Sequence, residues 1–288
     1  MKTSQSNLKT IVRGAYDLQK LRIQMGNRIA GNFKAKLGQE PGESETELGN
    51  DAKVVLNDLR RRYKRITDGI TVTKRNFAGD EIIDSYTEFC LVGQYVDLLG
   101  SEERHFRNLG HVLKDFKVFT GFLDGVRGIG PAMAGVIIGE IDITKAKYPS
   151  SLWAYAGLDV AGDGSGRSRR KEHLIDIEYE DKDGKAATRK GITFNPFLKT
   201  KLIGVLGSSF LKQGHDGYAL VYYDYKHRLE NHPAHQEKSK GHRHNMAIRY
   251  MIKMFLIDLH SVWRTIEGLP APVPYHEAKL DLAHRSVA

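Results

Sequence analysis

Val126-Arg127-Gly128-Ile129-Gly130-Pro131 runs directly into Ala132-Met133-Ala134-Gly135-Val136-Ile137-Ile138, and this join sets the expected architecture. One helix should end at the Gly-Ile-Gly-Pro turn, and a second helix of small and aliphatic residues should begin there. Gly128 and Gly130 free the turn from Cβ clashes, and Pro131 suits the first position of the new helix. Such a turn aims backbone N–H groups and a helix N-terminus outward, a ready site for a phosphate. The pattern is that of a helix-hairpin-helix, which grips a nucleic-acid backbone without reading its bases. The plain alternative is a tight corner between helices of a helical domain.

The composition favours the first reading. Lys and Arg outnumber Asp and Glu by 44 to 35 among 288 residues, a formal net charge of +9, and the cations cluster. A basic balance points to a polyanionic partner: DNA, RNA or an anionic membrane face. No apolar run is long enough to span a bilayer and the N-terminus lacks a signal-type apolar core, so the expected location is the cytoplasm, with no membrane partner. The single cysteine, Cys90, excludes an internal disulfide and a cysteine-rich zinc module. Within Glu88-Phe89-Cys90-Leu91-Val92 it reads as an inert core residue.

Upstream of the turn the pattern is helical. Apolar residues at Leu8, Ile11, Val12, Ala15, Leu18, Ile23 and Ile29 predict a helix from about Leu8 to Gly31. Gln39 to Asn50 is acidic, contains Gly and Pro, and reads as an exposed loop. A helix from about Asp51 to Ile66 sets Val54, Val55, Leu59 and Tyr63 on one side, with Arg60, Arg61, Arg62, Lys64 and Arg65 around it. Two more helices are expected over Glu81 to Leu99 and Glu102 to Leu123.

Downstream, Ser150 or Ser151 is expected to cap a short helix that Gly157 stops. A glycine-rich polar loop follows, Ala161-Gly162-Asp163-Gly164-Ser165-Gly166-Arg167-Ser168-Arg169-Arg170-Lys171. Ile175 to Tyr179 alternates as a strand, and Lys182-Asp183-Gly184-Lys185 supplies a hairpin turn. Asn195-Pro196 caps a helix to about Lys212, with Leu198, Leu202, Val205, Leu206 and Phe210 inward. A tyrosine-rich helix spans Gly217 to Leu229, and the last runs from about Asn245 to Trp263 with Arg249 and Lys253 opposite its apolar stripe. His232, His235, His242 and His244, with His215 and His227 upstream, invite a zinc reading. Without cysteine and across a polar loop, phosphate or polar contact is the preferred use, and no metal ligand is assigned.

The order Gly128-Ile129-Gly130-Pro131, Gly139-Glu140-Ile141, Tyr148-Pro149-Ser150, Tyr155-Ala156-Gly157-Leu158-Asp159, Ser165-Gly166-Arg167-Ser168, then Lys190-Gly191 with Asn195, Leu198 and Lys201, resembles the C-terminal domain of the insertion-sequence-110 transposases (the 110/116/902 group, with the Piv DNA invertases). The resemblance covers roughly residues 120 to 266. Taken with the helical pattern upstream, the expected fold is mainly α. A helical, partly coiled-coil N-terminal region (1–119) precedes a transposase domain with a helix-hairpin-helix and a small inserted β-hairpin (120–266), and a tail (267–288) follows.

The resemblance also implies chemistry. Ser165 corresponds to a nucleophile that attacks a DNA phosphodiester and forms a phosphoserine intermediate during transposition. A serine hydroxyl needs its proton removed and the phosphoryl charge neutralised. Arg167, Ser168, Arg169, Arg170 and Lys171 would supply phosphate contacts, joined by Gly128, Gly130, Lys190, Lys199, Lys201 and Arg249. Family members open with a RuvC-like, RNase-H-type domain whose four acidic residues bind divalent metal. No matching strand is legible here, and Asp80, Glu81 and Asp84 read as surface charge. Mg²⁺ is implied if the chain is catalytic, and no organic cofactor is. DNA is the implied partner, with a guide-type structured RNA, and the reaction calls for a dimer or tetramer. The alternative is a non-catalytic DNA- or RNA-binding protein derived from a transposase domain.

Overall fold

The computed structural model of the chain describes residues 2–37, 48–214 and 216–273. Most of the acidic stretch Gln39–Asn50, His215 and the end of the 267–288 tail therefore lie outside the described residues. The chain divides into two compact units, residues 10–109 and residues 1–9 with 110–288. Both are helical, and among the described residues no helix is long and apolar enough to cross a membrane.

The 10–109 unit draws on α1 (Lys2–Lys34), α2 (Asn50–Ile66) and α3 (Tyr86–Leu113). Its core joins Ile29, Ala30 and Phe33 of α1 with Val55, Leu56 and Leu59 of α2 and Phe89, Val92 and Tyr95 of α3. Tyr63 stacks on Phe89 with centroids 4.7 Å apart. The two helices expected between Glu81 and Leu123 are replaced by one that starts later and ends earlier. Asp80 Oδ1 accepts the N–H groups of Ile82 and Ile83, which holds that segment in a turn. The Ser85 hydroxyl then accepts the Glu88 N–H and starts α3. Gly100 lies inside α3; an interior glycine weakens a helix by about 1 kcal/mol but does not stop it. Two other readings are corrected. Val54 is 63% exposed, because the buried stripe of α2 passes through Ala52, Val55, Leu56 and Leu59. Cys90 is exposed, since Phe89 and Val92 take the inward face of α3 and the next residue lies well round the helix.

The other unit is organised around α10 (Lys240–Ile266). Before it come α4 (Lys117–Gly121), α5 (Pro131–Glu140), α6 (Pro149–Tyr155), the antiparallel pair β1 (Ile175–Glu180) and β2 (Ala186–Gly191), α7 (Pro196–Thr200), a π-helical stretch Lys201–Leu206, α8 (Gly207–Leu211) and α9 (Tyr218–Asn231). Met251, Ile252, Phe255, Leu256, Leu259 and Trp263 of α10 are buried where α10 packs on α4, α6, α8 and α9. Phe255 meets Phe122, Phe210 and Tyr218. Two buried polar residues of the same helix, Arg264 and Asp258, are paired. Arg264 Nη1 donates to the carbonyls of Ile143 and Ala146, and the Tyr218 hydroxyl donates to Asp258 Oδ2 at 2.7 Å. Helix α5 is buried from Met133 to Glu140, as its uniformly apolar sequence requires. The start of the chain belongs here too, with Gln5 Nε2 donating to the Ile138 carbonyl at 2.8 Å.

Two local expectations change. Tyr148, not Ser150 or Ser151, precedes α6, and Pro149 fills its first position with no side-chain cap. Val205 is 46% exposed although Leu202 and Leu206 are fully buried. The wider π turn over Lys201–Leu206 shifts side chains away from the spacing of a regular helix.

Candidate nucleic-acid interface

The Val126–Pro131 turn is built on one obligatory glycine. Gly128 has φ +95, and its carbonyl accepts the Ser209 hydroxyl at 2.7 Å. Gly130 has φ −97 in extended backbone open to other residues, and Pro131 opens α5. The element leading in is α4 with a 3-10 turn at Leu123–Gly125, in place of the long helix expected up to Leu123. Arg127 reaches out from the turn to Asp216.

The second element is the loop between α6 and β1. Gly157, with φ +63, ends α6, and a Cβ there would meet Phe194 Cγ at 2.6 Å. The chain then doubles back on itself. Val160 bridges Gly166, the Ala161 N–H donates to the Ser165 carbonyl at 2.8 Å, and the Arg167 N–H donates to the Asp159 carbonyl at 3.0 Å. Arg167 also grips Asp159 Oδ2 with Nε at 3.0 Å and Nη2 at 2.7 Å. The glycine-rich loop is thus a small hairpin with fixed side chains.

Two residues that carry this order were given no role from the sequence, and a third was expected only to cap a helix. Asp163 Oδ1 accepts the Ser165 N–H at 2.9 Å, and its Oδ2 meets His173 Nε2 and Arg170 Nη2, both at 3.1 Å. His173 is only 3% exposed, and its Nδ1 accepts the Ser168 N–H at 2.9 Å. The Ser165 N–H, and then His173, hold the Asp163 carboxyl below its ordinary range. Asn195 is the third. Its Oδ1 caps α7 at the Leu198 N–H, and its Nδ2 donates to the buried Glu140 at 2.7 Å. The only signal for the loop pair is that Asp163, Ser168 and His173 stand five residues apart.

Cations from two other helices, α7 and α10, converge on the loop. Lys199 donates to the Arg167 carbonyl and lies 4.5 Å from the Phe194 ring centre. Burial, and then the neighbouring Arg249, push its ammonium down to about 8. Arg249 Nη1 reaches the Gly157 carbonyl at 3.4 Å and lies so close to Gly166 that a Cβ there would sit 2.8 Å from it. Burial lowers Arg249 and Lys253 as well. Neither points to open solvent opposite the core, because α6 and the loop cover that face of α10. Trp153 Nε1 donates to the Lys253 carbonyl, and the Lys253 ammonium stands over the Trp153 ring. Asp159 is a carboxylate amid these cations, and its Oδ1 is buried without a hydrogen-bond partner. Arg169, Arg170 and Lys171 form the exposed outer edge.

Other residues expected to bind nucleic acid are not gathered here. Lys190 pairs with Asp176 across the β hairpin at 2.8 Å, and Lys201 lies over the Phe197 ring. Gly128 and Gly130 belong to the separate turn. In the histidine segment, His232 and His235 stand 5.4 Å apart by ring centres, and His244 bonds the Tyr222 hydroxyl at 2.6 Å. Among the described residues no three His, Cys, Asp or Glu side chains are grouped to hold a metal ion. The described residues thus offer no carboxylate cage for Mg²⁺.

Cations turned inward around a serine loop are groups that can pair with a phosphate. Residues 121–178, from α4 through the Gly128 turn, α5, α6 and the loop into β1, match the family model described as Transposase IS116/IS110/IS902 family. No curated protein and no solved structure matches the chain. Over those residues the chain is similar to a transposase domain of the IS116/IS110/IS902 family.

Proposed function

We propose that this chain acts on DNA as a serine-nucleophile transposase or recombinase, with the 161–171 loop as its reactive centre. The observation that carries the reading is the convergence of Arg167, Lys199 and Arg249 on a loop that already holds Ser165 in a fixed turn. Those cations outnumber Asp159, so an incoming phosphate would complete the charge balance. Ser165, the serine that the resemblance selects, attacks the phosphorus. An Oγ–P bond forms as the P–O bond to the departing ribose oxygen breaks, the hydroxyl proton leaves to a base, and the ribose oxygen takes one up. The surrounding guanidinium and ammonium groups stabilise the charge that develops on the phosphoryl oxygens. A guide-type RNA and a dimer or tetramer belong to the same proposal.

The test is covalent trapping on nicked or suicide DNA substrates with Mg²⁺ and co-purified RNA. A denaturation-resistant protein–DNA adduct that disappears in Ser165→Ala is the expected result. No adduct from the parent protein, with salt-sensitive binding to DNA or RNA intact, would replace this reading with that of a binding protein.

A further inference from the structure

His173 is the most buried polar group of the loop, and phosphate contact gives it no task. Its two ring nitrogens have different partners. Nδ1 faces the Ser168 N–H at 2.9 Å and the Ser168 hydroxyl at 3.0 Å, and Nε2 faces Asp163 Oδ2 at 3.1 Å. A backbone N–H can only donate, so Nδ1 must be the acceptor. The ring is then neutral with its proton on Nε2, which donates to Asp163. Asp163 spends its other oxygen on the Ser165 N–H. One imidazole therefore ties both serines of Ser165-Gly166-Arg167-Ser168, one directly and one through a carboxylate.

We propose that His173 is the positioning residue for Ser165, holding the serine's turn closed through Asp163 and Ser168. The inference rests on the serine-nucleophile reading above and adds a control to it. If Nδ1 takes up a proton, it presents a donor to the Ser168 N–H, and that side of the clamp opens. The charged groups facing the ring are the Asp163 carboxylate, which favours the imidazolium, and Arg170, whose Nη2 lies 3.2 Å from Nε2 and opposes it. Arg170 also donates to the Ser168 hydroxyl and to Asp163, so it braces the clamp whatever the state of the ring. Ser165 is therefore set for attack with a neutral His173 and loosened with a charged one. Displacing a nucleophile by about 1 Å can slow a reaction roughly 100-fold, so a loosened turn reads out in rate before it reads out in binding.

The experiment compares the full-length parent with His173→Asn and His173→Gln. Gln places an amide N–H near the position of Nε2 and can still donate to Asp163, whereas Asn cannot reach it. Three quantities are measured: the single-turnover rate of DNA adduct formation across pH, the DNA dissociation constant, and hydrogen exchange at the Ser165 and Ser168 amides. His173→Asn is expected to slow adduct formation by roughly 10–100-fold with DNA binding unchanged. The Ser165 amide should exchange faster in that variant, while Asn keeps an acceptor near the Nδ1 position for the Ser168 N–H. His173→Gln should recover part of the rate and lose the parent's decline on acidification. Adduct formation at the parent rate in His173→Asn, or Ser165 amide exchange unchanged there, would overturn the inference. If the parent itself forms no adduct, the nucleophile reading fails, and amide exchange alone then decides whether the clamp exists.

Discussion

Lys199 is held in a state of charge that its surroundings oppose. Half-buried against Phe194 and beside Arg249, its ammonium titrates near 8, well below the ordinary lysine range. The folded protein therefore binds fewer protons at this site than the unfolded chain between about pH 8 and the usual lysine value. Over that window the group's contribution to stability rises with pH. A bound phosphate favours the charged form, so binding takes up a proton there. DNA affinity should be steady below pH 8 and fall as the pH rises through it, and Lys199→Gln should flatten that decline. Titrating a fluorescent duplex across pH 7 to 9.5 decides the matter (a roughly one-proton linkage is the expectation). An identical decline in both proteins would remove Lys199 from the interface. At this scale the sequence announced the loop and its arginines, because glycine, serine and arginine side chains suggest their chemistry wherever they sit. It did not announce His173 or Asp163, whose partnership exists only after the Val160–Gly166 bridge folds the loop back. Nor could it show that Arg249 and Lys253 are covered, since helical spacing describes one helix and not what packs on its far side.

Among the elements, α7 depends most on a single side chain. Asn195 caps its first turn and braces Glu140 at the end of α5, so one amide links the start of one helix to the end of another. Asn195→Ala should lower stability by about 1–2 kcal/mol through the lost cap, with a further loss from the weakened Glu140 pairing. A urea melt checks it, and a midpoint equal to the parent's would show that the cap is replaceable. Periodicity revealed most helices and the 175–191 hairpin, because burial on one face leaves its period in the sequence. It failed where local hydrogen bonds override that period. Asp80 and Ser85 delay α3, and the π turn at Lys201–Leu206 exposes Val205.

Across the whole molecule, a net charge of +9 and an exposed Arg169–Lys171 edge predict binding dominated by the phosphate backbone. Each phosphate contact contributes a slope of about −0.9 in log affinity against log salt for duplex DNA. Arg169→Ala and Lys171→Ala should each reduce the magnitude of that slope by about one, and equally for unrelated duplexes. A slope unchanged in both variants would return this edge to plain solvent exposure. The division into 10–109 and the remainder was not legible, because a continuous helical pattern runs through both boundaries in α1 and α3. That division also governs how the protein is made. Gln5 and the carbonyl it meets on α5 are 133 residues apart, so at ribosomal speed the first turns of α1 wait on the order of ten seconds for their partner. The intervening 10–109 segment emerges before residues 110 onward, so it can fold while the other unit still waits for its partner segments.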